Sequence, residues 1–158
     1  WHEYRKFTVV RNPWEMGLSH FLYLIKSPNH PMHKDACMAG FSDFIKNSGS
    51  LFHMEQLDFC AGHQYPNSYN RFIFDDETGE LLVDNIVRFE NINKDWKKLC
   101  LEARVEDLDI INYPLKNKEN ATNHNHYTEY YTKEWMIEAV RNRHKDYIDF
   151  FGYEFGEN

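Results

Sequence analysis

No run of apolar residues in this sequence comes near the ~20 that a membrane helix needs, so no membrane span is expected. The opening residues show no charged-then-apolar leader pattern. Cysteine is scarce: Cys37, Cys60 and Cys100 are odd in number and widely spaced. That excludes a disulfide framework and points to reduced, buried thiols in a reducing compartment, hence a cytoplasmic chain. No C-x-x-C pair occurs, so no cysteine zinc site is suggested. Basic residues are outnumbered, 18 Lys and Arg against 25 Asp and Glu, for a formal charge of −7. A duplex nucleic-acid binder normally shows a basic face, so nucleic acid is not an expected partner. Internal repeats are absent too, and so is the phosphate loop G-x-x-x-x-G-K-[S/T].

What is present suits a globular α/β chain. Its 158 residues are one domain by length and enough to bury a core. Hydrophobics at 42% and aromatics at 16% argue against disorder. Residues 6–11 read as a strand through Phe7, Val9 and Val10. Asn12 then suits an N-cap, Pro13 the first helical position and Glu15 the third, an N-x-x-E capping box. The helix runs to about Lys26 with Trp14, Leu18, Phe21, Leu22 and Ile25 on one face. Pro28 and Pro31 break the chain before a second helix over 36–47. "RFIF", "DDETGE" and "LLVDNIVRF" predict a hairpin followed by a strand ending near Phe89. Asn93 is expected to cap a helix carrying Trp96, Leu99, Cys100 and Ala103 inward. Residues 112–127 read as a long polar loop. Thr132 is expected to cap a helix that turns Trp135, Met136, Ala139 and Val140 inward, and the aromatic tail to pack back on the core.

In α/β sheets ligands sit beyond the carboxyl ends of strands, and Arg11 stands at such an end. A helix start presents unpaired N–H groups and partial positive charge, which suit an anion. Arg11 adds a planar fork of donors matched to phosphate oxygens. Ser19 lies on the flank of the apolar stripe, where its hydroxyl can face a cleft. Together they resemble a phosphate clamp. The plainer alternative pairs Arg11 with a carboxylate and leaves Ser19 on a solvated face.

The pattern R-N-P-W-x-x-x-x-S directly after a strand resembles the 3′-phosphate motif of sulfotransferases, which use 3′-phosphoadenosine 5′-phosphosulfate (PAPS). "HMEQ" (53–56) resembles the family's central H-x-x-Q segment. "VDNIVRFENINKDWKKL" (83–99) resembles its strand-then-helix segment. "YTEYYTKEWMIEAV" with "DYIDFFGYEF" resembles the carboxyl-terminal signature of the carbohydrate-type, family 2 enzymes. Four segments thus follow in order along nearly the whole chain. The resemblance implies a P-loop-kinase-like three-layer sulfotransferase fold, with residues 1–158 as its central and carboxyl-terminal portion. It implies PAPS as co-substrate, no metal, and a hydroxyl acceptor on a carbohydrate. Arg11 and Ser19 would hold the donor's 3′-phosphate.

The family's lysine-bearing 5′-phosphosulfate loop has no counterpart here, and Met16 stands where the family commonly has arginine. The expectation is that an amino-terminal portion, with part of the parallel sheet, belongs before Trp1. Without it, apolar sheet surface would be uncovered and self-association into a homo-oligomer would follow.

Sulfuryl transfer needs a base for the acceptor proton. Among nine histidines, His53 is the first candidate, with Gln56 placed to hydrogen-bond acceptor or donor; His20 and Glu55 follow. A partly buried His53 bonded to a backbone carbonyl is the structural alternative. Arg88 and Glu90 read as structural. His30 with His33, and His124 with His126, lack a third metal ligand. Tyr127, Tyr130, Tyr131 and Trp135 can stack an adenine or a sugar, or simply pack the core. The rival from another class is a non-catalytic module that binds a nucleotide or a partner on the same fold. A kinase-like phosphotransferase is weakened by the missing glycine loop and magnesium carboxylates.

Overall fold

A computed structural model describes residues 3–47, 73–75, 77–116 and 123–157. Their contacts divide into two units, one drawn from residues 1–11 and 69–121 and the other from 12–68 and 122–158. The chain is mixed α/β.

The first unit is built on strands β1 (Phe7–Val10) and β2 (Asn85–Arg88), paired in parallel from Phe7↔Asn85 to Val10↔Arg88. In that register Val9 lies opposite Val87 and Val10 opposite Arg88, and Val10 and Val87 are both 1% exposed. The Lys6 carbonyl receives the N–H groups of Asp84 and Asn85, while the Lys6 N–H donates to the Asp84 carboxylate. β2 therefore starts where its partner starts. The strand expected from residue 81 is shorter because β1 offers it four residues. The expected hairpin is a single antiparallel bridge, Phe74↔Leu81, closed by an Asx turn. There the Asp75 carboxylate accepts from the Glu77 and Thr78 N–H groups.

Beyond β2 a 3-10 turn, Phe89–Asn91, leads into helix α3 (Ile92–Glu102). Asn93 is thus inside the helix and does not cap it. The Arg88 N–H at the end of β2 donates to Asp95, 3.0 Å away in the helix's first turn. Leu99 and Cys100 are buried as expected, while Ala103 ends the helix on the surface. Two short helices follow, α4 (Leu108–Ile111) and α5 (Tyr113–Lys116). Asp107 caps α4 by accepting from the Asp109 and Ile110 N–H groups. The polar segment expected as loop from residue 112 therefore opens with a helical turn. The Trp96 indole donates to the Ile110 carbonyl at 2.8 Å and packs edge-on against Phe7.

The second unit is helical. Helix α1 (Pro13–Lys26) starts and ends where the capping signals put it. Its buried set is Pro13, Trp14, Leu18, Phe21 and Leu24. Leu22 and Ile25, expected inside, are half-buried. Cover at this end comes from helix α2 (His33–Asn47), whose His33 bonds the Leu24 carbonyl. α2 breaks at Gly40, where φ 69° and ψ 172° are open to glycine and strained for any other residue. Gly17 of α1 faces Tyr131 so closely that a Cβ there would lie 3.0 Å from the tyrosine oxygen.

Helix α6 (Glu134–Arg143) begins after Lys133, not Thr132, and buries Met136 and Val140. Trp135, expected inward, is 39% exposed. Helix α7 (Lys145–Phe151) ends on left-handed Gly152, and Tyr147, Ile148, Phe151 and Tyr153 are buried. The aromatic tail does pack on its unit's core.

Candidate functional site

The parallel pairing fixes where Arg11 stands. β1 and β2 end together at Val10 and Arg88, so the next residues, Arg11 and Phe89, both step off the carboxyl edge of the sheet. The Arg11 guanidinium lies over the Phe89 ring, 4.3 Å from its centroid. A cation on an aromatic face gains from the ring quadrupole. Phe89 is 42% exposed, so the pair borders solvent. The expected position of Arg11, at a strand end directly before a helix, is what the structure has.

The start of α1 departs from the sequence reading. Its first residue, Pro13, has no N–H. The next two N–H groups, of Trp14 and Glu15, donate to the Asn12 side-chain oxygen at 3.0 and 3.3 Å. The Met16 N–H donates to the Asn12 carbonyl. The backbone donors expected to receive an anion are therefore taken by the chain itself. The capping residue that makes the helix start so legible is what closes it.

Asn12 is 1% exposed, and its amide also donates to the Tyr127 hydroxyl at 3.2 Å. That hydroxyl accepts from the Gly156 N–H at 2.7 Å and donates to the Glu157 carbonyl at 3.1 Å. Burial pushes the Tyr127 phenol above its usual range, against the lowering effect of those donors. Tyr131 donates to the Trp14 carbonyl at 2.8 Å, and burial keeps it protonated even more firmly. Both rings meet Phe155 edge-on. Tyr127 and Tyr131 are core residues here, so the stacking reading of the aromatic cluster loses these two rings.

Ser19 belongs to the second turn of α1 and is half-buried, as is Met16. His20 beside it meets Phe44 edge-on, and burial lowers its pKa, with the charge of His30 adding to the effect. His53, Glu55 and Gln56 lie outside the described residues. Among the described residues no three His, Cys, Asp or Glu side chains gather around a point that could hold a metal ion. No helix in that set is long and apolar enough to cross a membrane.

Two arrangements escaped the sequence reading. In the first unit a cavity of about 110 Å³ lies between β2 and α3, lined by Asn85, Asp95, Lys98 and Glu102 among others. Arg5 donates to Asn85 at 2.8 Å and to Glu102 at 2.9 Å. Arg5 and Glu102 are so far apart in sequence that no local pattern could have revealed them. Their charges satisfy one another and tie the strand pair to α3. The other arrangement is the contact of Cys37 with His33, visible beforehand only as H-x-x-x-C at helical spacing. Cys37 is exposed, against the expectation of buried thiols, because its helix turns that face to solvent; Cys100 is buried.

Set against family models, curated proteins and solved structures, the chain matches none of them.

Proposed function

We propose that this protein works in sulfuryl transfer, moving the group from PAPS to an acceptor hydroxyl on a carbohydrate. The observation that carries the reading is Arg11. It leaves the carboxyl edge of a parallel strand pair, directly before a capped helix, in the sequence context of a 3′-phosphate motif. The three further family-like segments, in order, support it. In this reading Arg11 and Ser19 hold the 3′-phosphate through side chains alone, because Asn12 has taken the α1 backbone donors. His53 takes the acceptor proton, and Gln56 hydrogen-bonds acceptor or donor. The acceptor oxygen bonds to sulfur as the bond from sulfur to the 5′-phosphate oxygen breaks, leaving 3′-phosphoadenosine 5′-phosphate. Such a transfer also calls for a cation to steady the charge on the departing oxygen, the role of the family's lysine-bearing loop that has no counterpart in this sequence.

A second reading, a non-catalytic nucleotide- or partner-binding module on the same fold, is favoured by the closed start of α1. Without backbone donors, donor recognition rests on fewer groups. Calorimetry with 3′-phosphoadenosine 5′-phosphate and with 5′-AMP tests the first reading, on the native chain and on Arg11→Ala and Ser19→Ala. A preference for the 3′-phosphorylated nucleotide that both substitutions weaken supports the clamp. Equal or absent binding of the two nucleotides removes it. Release of 3′-phosphoadenosine 5′-phosphate from PAPS with a carbohydrate acceptor then separates the enzyme from the binding module.

A further inference from the structure

An arginine gives up much of its rotamer freedom when it grips an anion, so affinity depends on how far the side chain is held in place beforehand. That matters more than usual here. Asn12 accepts the first N–H groups of α1, so a phosphate at the strand edge gains nothing from the helix start. The neighbouring strand offers a means of holding Arg11. Phe89 follows the last residue of β2 as Arg11 follows the last residue of β1, and both belong to the first unit. The guanidinium carbon stands 4.3 Å from the centre of the Phe89 ring. The backbone that carries the ring is fixed on both sides. Before it, the Arg88 N–H donates to the Asp95 carboxylate at 3.0 Å; after it, the Ile92 N–H donates to the Phe89 carbonyl. The first turn of α3 therefore anchors the ring, and the ring in turn faces the arginine.

We propose that Phe89 is a positioning residue: its ring holds the Arg11 guanidinium at the carboxyl edge of the strand pair and so sets the preference for a 3′-phosphorylated nucleotide. This assignment rests on the donor-site reading of Arg11. The ring acts through the arginine and makes no contact with the nucleotide itself. What the role requires is an aromatic face, not apolar bulk. Tyrosine presents the same face, whereas leucine occupies similar space without a quadrupole to attract the cation. Phe89 is 42% exposed, so either replacement leaves the core of the unit as it is.

Calorimetry with 3′-phosphoadenosine 5′-phosphate and with 5′-AMP compares the native chain, Phe89→Leu, Phe89→Tyr, and Arg11→Ala with and without Phe89→Leu. In Phe89→Leu the affinity for the 3′-phosphorylated nucleotide should fall by about 2- to 5-fold, the factor that a cation–π contact bordering solvent is worth. Affinity for 5′-AMP should stay at its native value, and Phe89→Tyr should restore the preference. In the Arg11→Ala background the leucine should cost nothing more, because the partner it acts through is gone. An equal loss for both nucleotides would make Phe89 a stacking surface for the base and overturn the positioning role. An undiminished preference in Phe89→Leu also overturns it, while the donor-site reading stands. A native chain that binds the two nucleotides equally removes that reading, and the proposal with it. One readout needs no ligand. Arg11 side-chain protons above the ring should resonate upfield in the nuclear magnetic resonance spectrum of the native chain and of Phe89→Tyr, and at ordinary arginine positions in Phe89→Leu. If Phe89→Leu melts early, the native and tyrosine spectra decide, and unshifted Arg11 protons in both overturn the proposal.

Discussion

Asn12 does two jobs with one amide, and they pull on different neighbours. Its oxygen closes the start of α1 and its nitrogen reaches the buried Tyr127 hydroxyl. Asn12→Ala removes the cap and leaves a small buried gap, but Tyr127 keeps its bonds to Gly156 and Glu157. The expected cost is about 1–3 kcal/mol, read as a lower urea midpoint at unchanged slope. A second residue sets a pH dependence. Burial, with the adjacent Arg143 charge contributing, lowers the His144 pKa to about 4. The unfolded chain takes up this proton near pH 6.5, before the folded chain does. Stability contributed by neutral His144 is therefore full above pH 6.5 and is lost as pH falls toward 4. The ring is half-exposed, so water softens the effect to ~1–2 kcal/mol. Denaturant midpoints at pH 7.5 and 5 should differ, and His144→Gln should flatten the difference.

Helix ends account for most of what was legible, and most of what was not, at the scale of elements. α1 is specified locally: cap, proline, apolar spacing and a terminal lysine all agree, so its bounds follow from sequence alone. β2 is not specified in that way. Apolar residues stand on both sides of it, Leu81 to Val83 before and Phe89 after, and its length is set by a distant partner that no local window contains. α4 was missed because one helical turn carries too little periodicity, although Asp107 is a readable cap. The end of α3 is the place to act on this. Arg104 has φ 56°, its N–H bonds the Leu101 carbonyl, and the Val105 N–H bonds the Cys100 carbonyl. That is a Schellman ending with arginine in the position glycine prefers. Arg104→Gly should raise stability by ~0.5–1 kcal/mol, seen as a higher melting temperature with unchanged helical circular dichroism.

For the molecule as a whole, class was readable and chemistry only in part. Composition and alternating element signals gave α/β, and Arg11 stands where the opening motif put it. The reading failed at the anion cradle, because a capping asparagine signals a helix start and fills it with the same atom. Bonds such as Arg5 to Glu102 join distant segments and leave no spacing to read. A nucleotide that binds only the folded chain must stabilise all that folds with its site. At 100 times its dissociation constant, 3′-phosphoadenosine 5′-phosphate should add about 2.7 kcal/mol. The melting temperature should rise accordingly in the native chain, with a smaller rise or none in Arg11→Ala.

The parallel pair also has a consequence in time. Phe7 pairs with Asn85, 78 residues further along (85 − 7). At a synthesis rate of roughly 5–20 residues per second, β1 waits about 4–16 s on the ribosome before β2 exists. During that interval its Phe-Thr-Val-Val edge lacks β2, its partner among the described residues. α1, whose signals are all local, can form meanwhile. The newly made chain therefore carries a helix attached to a strand still waiting for β2, a form that invites a chaperone and puts the exposed Phe7 and Val9 at risk of mispairing.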